Sequence, residues 1–464
     1  MNRKTLIAFG IFAVLSLVAF VALRSPEKGE RRGEAPRPIA KLKNTDFDTI
    51  EVTKAKVTSV IRKEGGKFKV VSPTPYAADE NNAKQAFEAI EKLEFSDVVT
   101  DQPSKQAEFE VGDDGLKVVA KNGPTVVGEL IIGKSLGAGT MVRVPGKNDV
   151  WQAAGSIKYT FDKGAADWRD KSITTFTAAD AEKIDIKSKT GGTISLTKAH
   201  KADQKEGDKA ADAGGDQWTV AASSVPIPKL DNTVPSTLVS TMAALKTSDF
   251  GDDLKPDVTG LGDPVLTATV TLKGGKTASV LIGNKKTDDD YYVKNGESPQ
   301  VFLVKKYGVE HVNKRPVEFR DKTICDIAEA DLTDLAVTHG AESYTLTRTI
   351  TKTGKDWKAT KPAKTEVDGS KVTPIAGAFK AWKATGFADD PSPKATGLAK
   401  PSATIVAKSK AATCTLKVGD ETKDKQSYFV QAGSSPDVYL VAKWSTDRIL
   451  VKVADIKKTT VAKQ

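Results

Sequence analysis

Three stretches of the chain place apolar residues three and four positions apart, which is the spacing of one face of an α-helix. An aspartate precedes each stretch, at Asp79, Asp231 and Asp368, where its carboxylate would cap the first turn. The sequence therefore predicts three amphipathic helices. Their apolar faces would consist of Ala83, Phe87, Ile90 and Leu93; of Val234, Leu238, Met242 and Leu245; and of Val372, Ile375, Phe379 and Trp382.

β-Strands are predicted on both sides of each helix, because short apolar stretches there alternate with polar residues and turns. Before each helix an aromatic residue in such a stretch is followed by a proline. These aromatic residues are Phe68, Trp218 and Trp357. After each helix an acidic segment leads to an apolar stretch that ends in a glycine. These glycines are Gly133, Gly283 and Gly419.

The same order of predicted elements occurs three times along the chain. Phe68 and Trp218 occupy matching places in the first two copies and are 150 residues apart. Such a unit is larger than a solenoid repeat of about 20–45 residues. We therefore expect an α+β fold of three tandem units, at residues 44–178, 179–329 and 330–464. Each unit should contain antiparallel β-strands and one amphipathic helix.

The connections within and between the units carry their own patterns. Glycine pairs at 65–66 and 274–275 predict tight turns between antiparallel strands. A polar stretch at 199–216 predicts a solvated loop inserted in a hairpin of the second unit. Arg-Asp-Lys closes the first unit at 169–171 and the second at 320–322, whereas the third unit lacks this motif.

An apolar stretch without charged residues runs from Leu6 to Leu23. A helix of about 18 residues is about 27 Å long, close to the thickness of the hydrocarbon core of a membrane. The sequence therefore predicts an N-terminal transmembrane anchor within residues 1–24 and a basic flexible linker at 25–43. A cleaved signal peptide is the alternative, although the small residues near the end of the stretch are poorly spaced for cleavage.

The expected location is the inner (cytoplasmic) membrane, crossed once, with the C-terminal part on the periplasmic side. The short N-terminus with Arg3 and Lys4 favours this orientation, and long domains are translocated largely regardless of charge. The linker at 25–43 is richer in Lys and Arg than the N-terminus, and this count favours the opposite orientation. Both orientations stay open on the sequence alone.

The charge and the reactive residues restrict the class of function. Residues 1–43 hold nine Lys or Arg and three Asp or Glu, which gives six of the ten net positive charges. The remainder is nearly balanced and shows no basic face with interleaved aromatic residues, so we expect no nucleic-acid partner. With three histidines and two cysteines in the chain, we expect no metal site and no cofactor. Cys325 and Cys414 either form a disulfide or remain two thiols.

Several motifs recur in the same order in the copies. They are the aromatic residue before proline, a Gly-Leu-(Gly/Ala)-x-Pro turn at 260–264 and 397–401, the strand ending in glycine, a tyrosine-rich strand and the Arg-Asp-Lys closure. In this order they resemble a bacterial family, domain of unknown function 4340 (DUF4340). The resemblance implies a membrane-anchored envelope component, in some cases encoded near ABC-type transport systems of the gliding-motility kind. It implies no chemistry for any residue of this chain.

Acidic and glycine-rich motifs are the candidates for chemistry. Residues 128–135 match the phosphate-binding pattern G-x-x-x-x-G-K-[ST], but their middle residues Glu-Leu-Ile-Ile are typical of a strand that ends in a turn glycine. The consecutive carboxylates at 288–290 predict a hairpin tip, because they lack the alternating ligands of a calcium loop. The acidic pairs at 252–253 and 389–390 predict turns or caps after helices.

The remaining candidates also have structural interpretations. The Arg-Asp-Lys segments predict ion pairs that lock the end of a unit or the joint between units. His200, His311 and His339 have no recognisable partner and are predicted to be exposed. Aromatic residues at matching places are predicted to be core residues, with a glycan-stacking platform as the alternative. These residues are Trp151, Trp218, Phe302, Trp357 and Tyr439.

The sequence thus predicts a membrane-anchored, non-enzymatic scaffold or accessory protein of the bacterial cell envelope. ABC-type transporter subunits are the partners that the family resemblance implies. Recognition of a cell-wall or surface glycan is the first alternative, and exposed recurrent aromatic residues would favour it. A hydrolase that uses carboxylates near Asp252, Asp289 or Asp389 is the second alternative, and it requires two such groups in one pocket.

Overall fold

The computed structural model describes residues 37–198, 217–252, 254–348, 356–433 and 435–458. The predicted anchor from Leu6 to Leu23 lies outside these ranges. Within them, no helix has both the length and the apolar character needed to cross a membrane. The chain divides into two compact units, one ending at Lys171 and the other beginning at Ser172.

The described fold consists mostly of antiparallel β-sheets. In the first unit the strands are β1 (Thr49–Lys54), β2 (Val57–Glu64), β3 (Lys67–Ser72), β4 (Tyr76–Ala77), β5 (Phe95–Thr100), β6 (Leu116–Asn122), β7 (Thr125–Leu136), β8 (Gly139–Arg143) and β9 (Val150–Ala154). They form one sheet in the order β4-β3-β2-β1-β6-β7-β8-β9-β5. Its helices are α1 (Glu80–Glu91) and α2 (Lys158–Phe161).

The second compact unit contains two larger sheets. The strands of the first of them are β10 (Ala181–Ser188), β11 (Gly192–Lys198), β12 (Trp218–Ser223), β13 (Asp249–Phe250), β14 (Leu266–Leu272), β15 (Thr277–Lys285), β16 (Asp290–Asn295) and β17 (Val301–Lys305). Their order is β12-β11-β10-β14-β15-β16-β17-β13. The helices of this part are α3 (Thr233–Ala243), α4 (Pro256–Thr259) and α5 (Lys306–Val309).

The last sheet has the same arrangement. Two short strands, β18 (Thr323–Cys325) and β22 (Trp382–Lys383), pair beside it. Its own strands are β19 (Leu332–His339), β20 (Glu342–Arg348), β21 (Trp357–Lys361), β23 (Gly386–Phe387), β24 (Ala403–Ser409), β25 (Thr413–Glu421), β26 (Ser427–Ala432) and β27 (Val438–Ala442). Their order is β21-β20-β19-β24-β25-β26-β27-β23. The helices are α6 (Gly369–Gly377), α7 (Lys443–Asp447) and α8 (Val453–Ile456).

One topology therefore occurs three times. In each sheet a three-stranded meander comes first, to which the first sheet adds the two-residue strand β4. A helix and an edge strand follow, and a four-stranded meander completes the sheet. The first strand of each sheet lies in its middle. It belongs to the first meander and also pairs with the first strand of the second meander, as β10 pairs with β11 and with β14. We call the parts built on the three sheets the first, second and third repeat. The boundaries at 44–178, 179–329 and 330–464 stay predictions.

The turns and helix starts follow the sequence pattern closely. Gly65 and Gly66 form a two-residue turn between β2 and β3 with φ of 58° and 81°, values that glycine adopts without strain. Asp79 and Asp368 cap α1 and α6 through hydrogen bonds from backbone amides, as predicted. Asp231 lies one position before the N-cap of α3, yet its carboxylate accepts a hydrogen bond from the Thr233 amide at 3.0 Å.

The predicted apolar faces extend beyond the helices. Leu93 and Leu245 lie after the ends of α1 and α3, and Phe379 and Trp382 lie after the end of α6. All four side chains are buried. The prediction of longer helices was wrong, because the chain leaves each helix for a short strand (β5, β13 or β22) while its apolar residues remain in the core.

Gly133, Gly283 and Gly419 lie two or three residues before the ends of β7, β15 and β25, where another part of the backbone approaches the strand. The ladders of β7, β15 and β25 shift register just beyond Gly133, Gly283 and Gly419. A Cβ atom on any of these glycines would collide with a backbone carbonyl oxygen, which in the third repeat belongs to Thr396. Glycine is therefore required for close packing in all three repeats.

Replacing Gly419 by alanine should destabilise the third repeat by about 1–3 kcal/mol, because the backbone must shift to admit the methyl group. Urea unfolding followed by circular dichroism measures the effect. The matched control is Gly377→Ala at the end of α6, where a Cβ atom meets nothing within 4 Å. Equal midpoints for the two variants would contradict the packing argument.

Candidate functional site

The Arg-Asp-Lys segment at 320–322 lies at the joint between the second and third repeats. The Arg320 Nε donates a hydrogen bond to the Pro226 carbonyl oxygen at 2.8 Å, on the second repeat. Its guanidinium pairs with Asp437 and lies 5.7 Å from the centre of the Phe387 ring, both on the third repeat. The Arg320 and Asp437 side chains are only 14% and 11% exposed. One cationic side chain therefore connects two repeats, as the sequence predicted.

Asp321, the next residue of this segment, is also fixed by polar contacts. Its carboxylate pairs with Lys229 and accepts a hydrogen bond from the Thr323 amide at 2.9 Å. Burial alone would raise the pKa of Asp321, but the lysine and the Thr323 hydrogen bonds outweigh it and lower that pKa. The carboxylate is therefore charged at neutral pH and fixes the start of the connection between the repeats.

After this segment the chain joins the third repeat directly. The Ala384 amide donates to the Lys322 carbonyl oxygen at 2.8 Å, and β18 then pairs with β22. A second ion pair, between Arg315 and Asp389, adds a more exposed link at 3.1 Å. The joint thus consists of a short shared strand pair and two arginine contacts of different burial.

A corresponding lock occurs in the first repeat. Arg169 is buried, and its guanidinium carbon lies 4.5 Å from the centre of the Tyr76 ring. The Asp170 amide donates to the Ala77 carbonyl oxygen at 2.8 Å. Lys171 pairs with Asp167 at 2.7 Å. The first Arg-Asp-Lys segment therefore closes its own repeat, which confirms a structural role.

The third repeat has the same closure without the motif. The segment before its helix forms bridges to Lys457, as the corresponding segments do to Arg169 and Arg320. The Asp368 amide also donates to the Ile456 carbonyl oxygen at 2.8 Å. Sequence comparison missed this place because Ile-Lys-Lys replaces Trp-Arg-Asp and Phe-Arg-Asp there.

The two cysteines are joined. Cys325 on β18 and Cys414 on β25 form a disulfide, with Cα atoms 5.7 Å apart. Cys325 is buried in the core of the third repeat, and Cys414 packs against that core. The alternative of two separate thiols was therefore wrong. Spacing could not reveal the pair, because the contact spans 89 residues and depends on where β18 docks.

The acidic and glycine-rich candidates have structural roles. Residues 128–135 lie within β7, so the match to a phosphate-binding loop is a strand, as predicted. The prediction that the strand ends in a turn at Gly133 was wrong, because β7 continues to Leu136. Asp290 pairs with Lys305 at 2.9 Å at the hairpin end. Asp252 accepts a hydrogen bond from Gln300 at 3.0 Å, and Asp389 pairs with Arg315. Within the described ranges, no group of three or more His, Cys, Asp or Glu residues could hold a metal ion.

The recurrent aromatic candidates are core residues, as predicted. All five are at least nine-tenths buried, so the glycan-platform alternative is wrong for these residues: Trp151, Trp218, Phe302, Trp357 and Tyr439. His311 lies 3.8 Å from Glu310 with half of its side chain exposed. His339 is exposed at the end of β19. His200 lies outside the described residues.

The fold defines the class of this protein: a tandem-repeat protein of mostly antiparallel β-sheets. The model of one family, domain of unknown function (DUF4340), matches residues 69–264, 258–401 and 394–464. The chain therefore belongs to the DUF4340 family. No curated protein sequence matches it.

Among solved structures, the chain is weakly similar to bacterial DNA polymerase subunits. The β subunit from Streptococcus pyogenes is 8% identical with a TM-score of 0.14, and the match covers 88% of this chain and 94% of that one. DNA polymerase III subunit β from Borrelia burgdorferi is 8% identical with a TM-score of 0.13, covering 89% and 94%. TM-scores of this size carry no inference about fold or function.

Proposed function

We propose that this protein is a membrane-anchored, non-enzymatic accessory protein of the bacterial envelope, with its repeats on the periplasmic side of the inner membrane. The Cys325–Cys414 disulfide is the observation that carries this proposal. Structural disulfides persist in oxidising compartments and are rare in the reducing cytosol. The disulfide therefore favours the periplasmic orientation over the opposite one that the count of basic residues allows.

The joint between the second and third repeats supports a scaffolding role. Arg320 contacts both repeats, and β18 continues the second repeat into a strand pair of the third. Contacts of this kind restrict the motion of one repeat against the other. The anchor from Leu6 to Leu23 and the basic linker at 25–43 would hold the repeats near the membrane. The joint would keep partner-binding surfaces on the second and third repeats at a fixed spacing.

ABC-type transporter subunits are the proposed partners, on the basis of the family resemblance. In-cell crosslinking, purification in detergent and mass spectrometry test this part of the proposal. We expect permease or ATPase subunits among the crosslinked proteins. Recovery of no transporter subunit under conditions that capture other membrane neighbours would overturn the transporter association.

The location is tested by protease treatment of spheroplasts and by thiol labelling. We expect protease to remove the repeats from intact spheroplasts. We also expect maleimide to label Cys325 and Cys414 in denatured extracts only after reduction. A cytoplasmic protein in the same spheroplasts is the control for membrane integrity. Protected repeats with two reactive thiols would contradict the periplasmic location.

A further inference from the structure

Each repeat exposes one aromatic side chain at a matching place. Tyr159, Tyr307 and Trp444 lie in the one-turn helices α2, α5 and α7, each directly after a lysine. Their exposed fractions are 80%, 75% and 69%, whereas Trp151, Trp218, Phe302, Trp357 and Tyr439 are buried. Single exposed apolar side chains are common, so it is the recurrence at one position of every repeat that distinguishes these three rings.

A hollow lies next to one of these rings. Its volume is about 340 Å³, within the range of about 300–1,000 Å³ that is typical of ligand pockets. It is formed by the end of α3, the segment that follows it, the end of β17 and the start of α5. Its polar and aromatic lining residues are Ser240, Thr241, Lys246, Thr247, Ser248, Lys305 and Tyr307.

The third repeat fills the corresponding space. Aligning the two repeats on Phe250 and Phe387 places Trp382 where the second repeat has Leu245, and Ser445 where it has Gly308. The Trp382 Nε1 donates a hydrogen bond to the Ser445 Oγ at 3.3 Å and is buried. The second repeat therefore opens the hollow by carrying smaller residues at both positions.

The lining has the chemistry of a site for a hydroxyl-rich anion. In the part of the chain that the structure describes, the hydroxyls of Ser240 and Thr241 form no hydrogen bond and Lys246 forms no ion pair. Hydroxyl groups both donate and accept hydrogen bonds, which complements the hydroxyls of a sugar. The lining contains two lysines and no carboxylate; Lys305 pairs with Asp290, which leaves Lys246 as the cation for an anion. The exposed Tyr307 ring offers an apolar face at the rim.

We propose that this hollow binds an acidic saccharide, with the sugar ring on Tyr307 and its negative group near Lys246. Trp444, at the matching place of the third repeat, would add a weaker contact to the same polysaccharide chain, because an aromatic residue that recurs from repeat to repeat suits a ligand that is itself a repeating polymer. The inference rests on the proposed periplasmic location, where envelope polysaccharides occur. It deepens the proposed function by giving the accessory protein an envelope ligand.

Calorimetric titration of the full-length chain in detergent tests the site. The probes are a hexamer of galacturonic acid and, as a neutral counterpart, maltohexaose. We expect the acidic hexamer to bind and the neutral one to bind more weakly. Tyr307→Ala should weaken binding about tenfold, since stacked aromatic residues dominate such contacts. Thr241→Trp, which fills the hollow and keeps the ring, should weaken it as well.

Lys246→Ala should weaken binding of the acidic hexamer. The control is Lys187→Ala, which removes an exposed lysine of the same repeat that lies outside the lining. This control should leave binding unchanged. Thermal unfolding of each variant verifies folding. Equal binding by wild type and Tyr307→Ala, or no binding of the hexamer, would overturn the site. Preferential, Tyr307-dependent binding of phosphatidylglycerol vesicles or of inorganic phosphate would overturn the saccharide. Because the protein is purified, these outcomes are independent of the tests of location.

Discussion

Replacing Cys325 and Cys414 together by alanine should lower the free energy of unfolding of the third repeat by about 2–4 kcal/mol. The disulfide links positions 89 residues apart, so it removes many conformations from the unfolded chain. It also holds β18, which continues the joint, against β25 in the core of the third repeat. Urea unfolding of wild type and the double variant measures the difference.

The reductant provides the control for this prediction. Dithiothreitol should move the wild-type unfolding midpoint to that of the double variant and leave the variant unchanged. A wild-type midpoint that does not respond to complete reduction would show that the disulfide adds nothing to stability. The cysteine variants should otherwise retain the circular dichroism spectrum, because the sheet hydrogen bonds do not involve the sulfur atoms.

Replacing Arg320 by alanine should cost about 3–5 kcal/mol, the effect of removing one partner from a buried ion pair. The change leaves the Asp437 carboxylate without its guanidinium in a site where it is 11% exposed, and it removes the hydrogen bond to Pro226. Asp437→Ala should be destabilising for the same reason. The double variant should cost less than the sum, since neither charge then remains alone. Chemical unfolding of the four proteins completes the cycle.

The nearby Arg315 provides a matched control. It pairs with Asp389 across the same joint, but the two side chains are 46% and 86% exposed. Solvent screens such a pair, so Arg315→Ala should cost about 0–1 kcal/mol. Equal losses for Arg315→Ala and Arg320→Ala would mean that burial at the joint does not determine the strength of the connection.

The repeated topology could be predicted because its signals are local. The glycine pair at 65–66, the capping aspartates and the alternating strands each depend on residues close in sequence. Gly133, Gly283 and Gly419 were also visible as a recurring glycine after an apolar stretch. The carbonyl oxygen that requires each of them was not visible. Repetition strengthened each weak signal, because the same order occurred three times.

The features that depend on distant contacts could not be predicted. Cys325 meets Cys414 only because β18 docks on the third repeat, and no spacing reports that docking. The burial of an aromatic residue also depends on tertiary packing. Trp151 and Tyr159 are close in sequence, yet the first faces a core and the second faces solvent. The sequence therefore directed attention to the buried set and missed the exposed one.

The strand in the middle of each sheet has a consequence for folding during synthesis. In the second repeat, β10 can pair with β11 as soon as both have left the ribosome. The other edge of β10 pairs with β14, which is synthesised about 80 residues later. Until then the first meander presents an unpaired, partly apolar edge, the kind of surface on which chains aggregate. A chain cut after α3 would keep its hairpin and expose that edge permanently. Each repeat must therefore be synthesised through its second meander before this edge is covered, or be shielded by a chaperone until then.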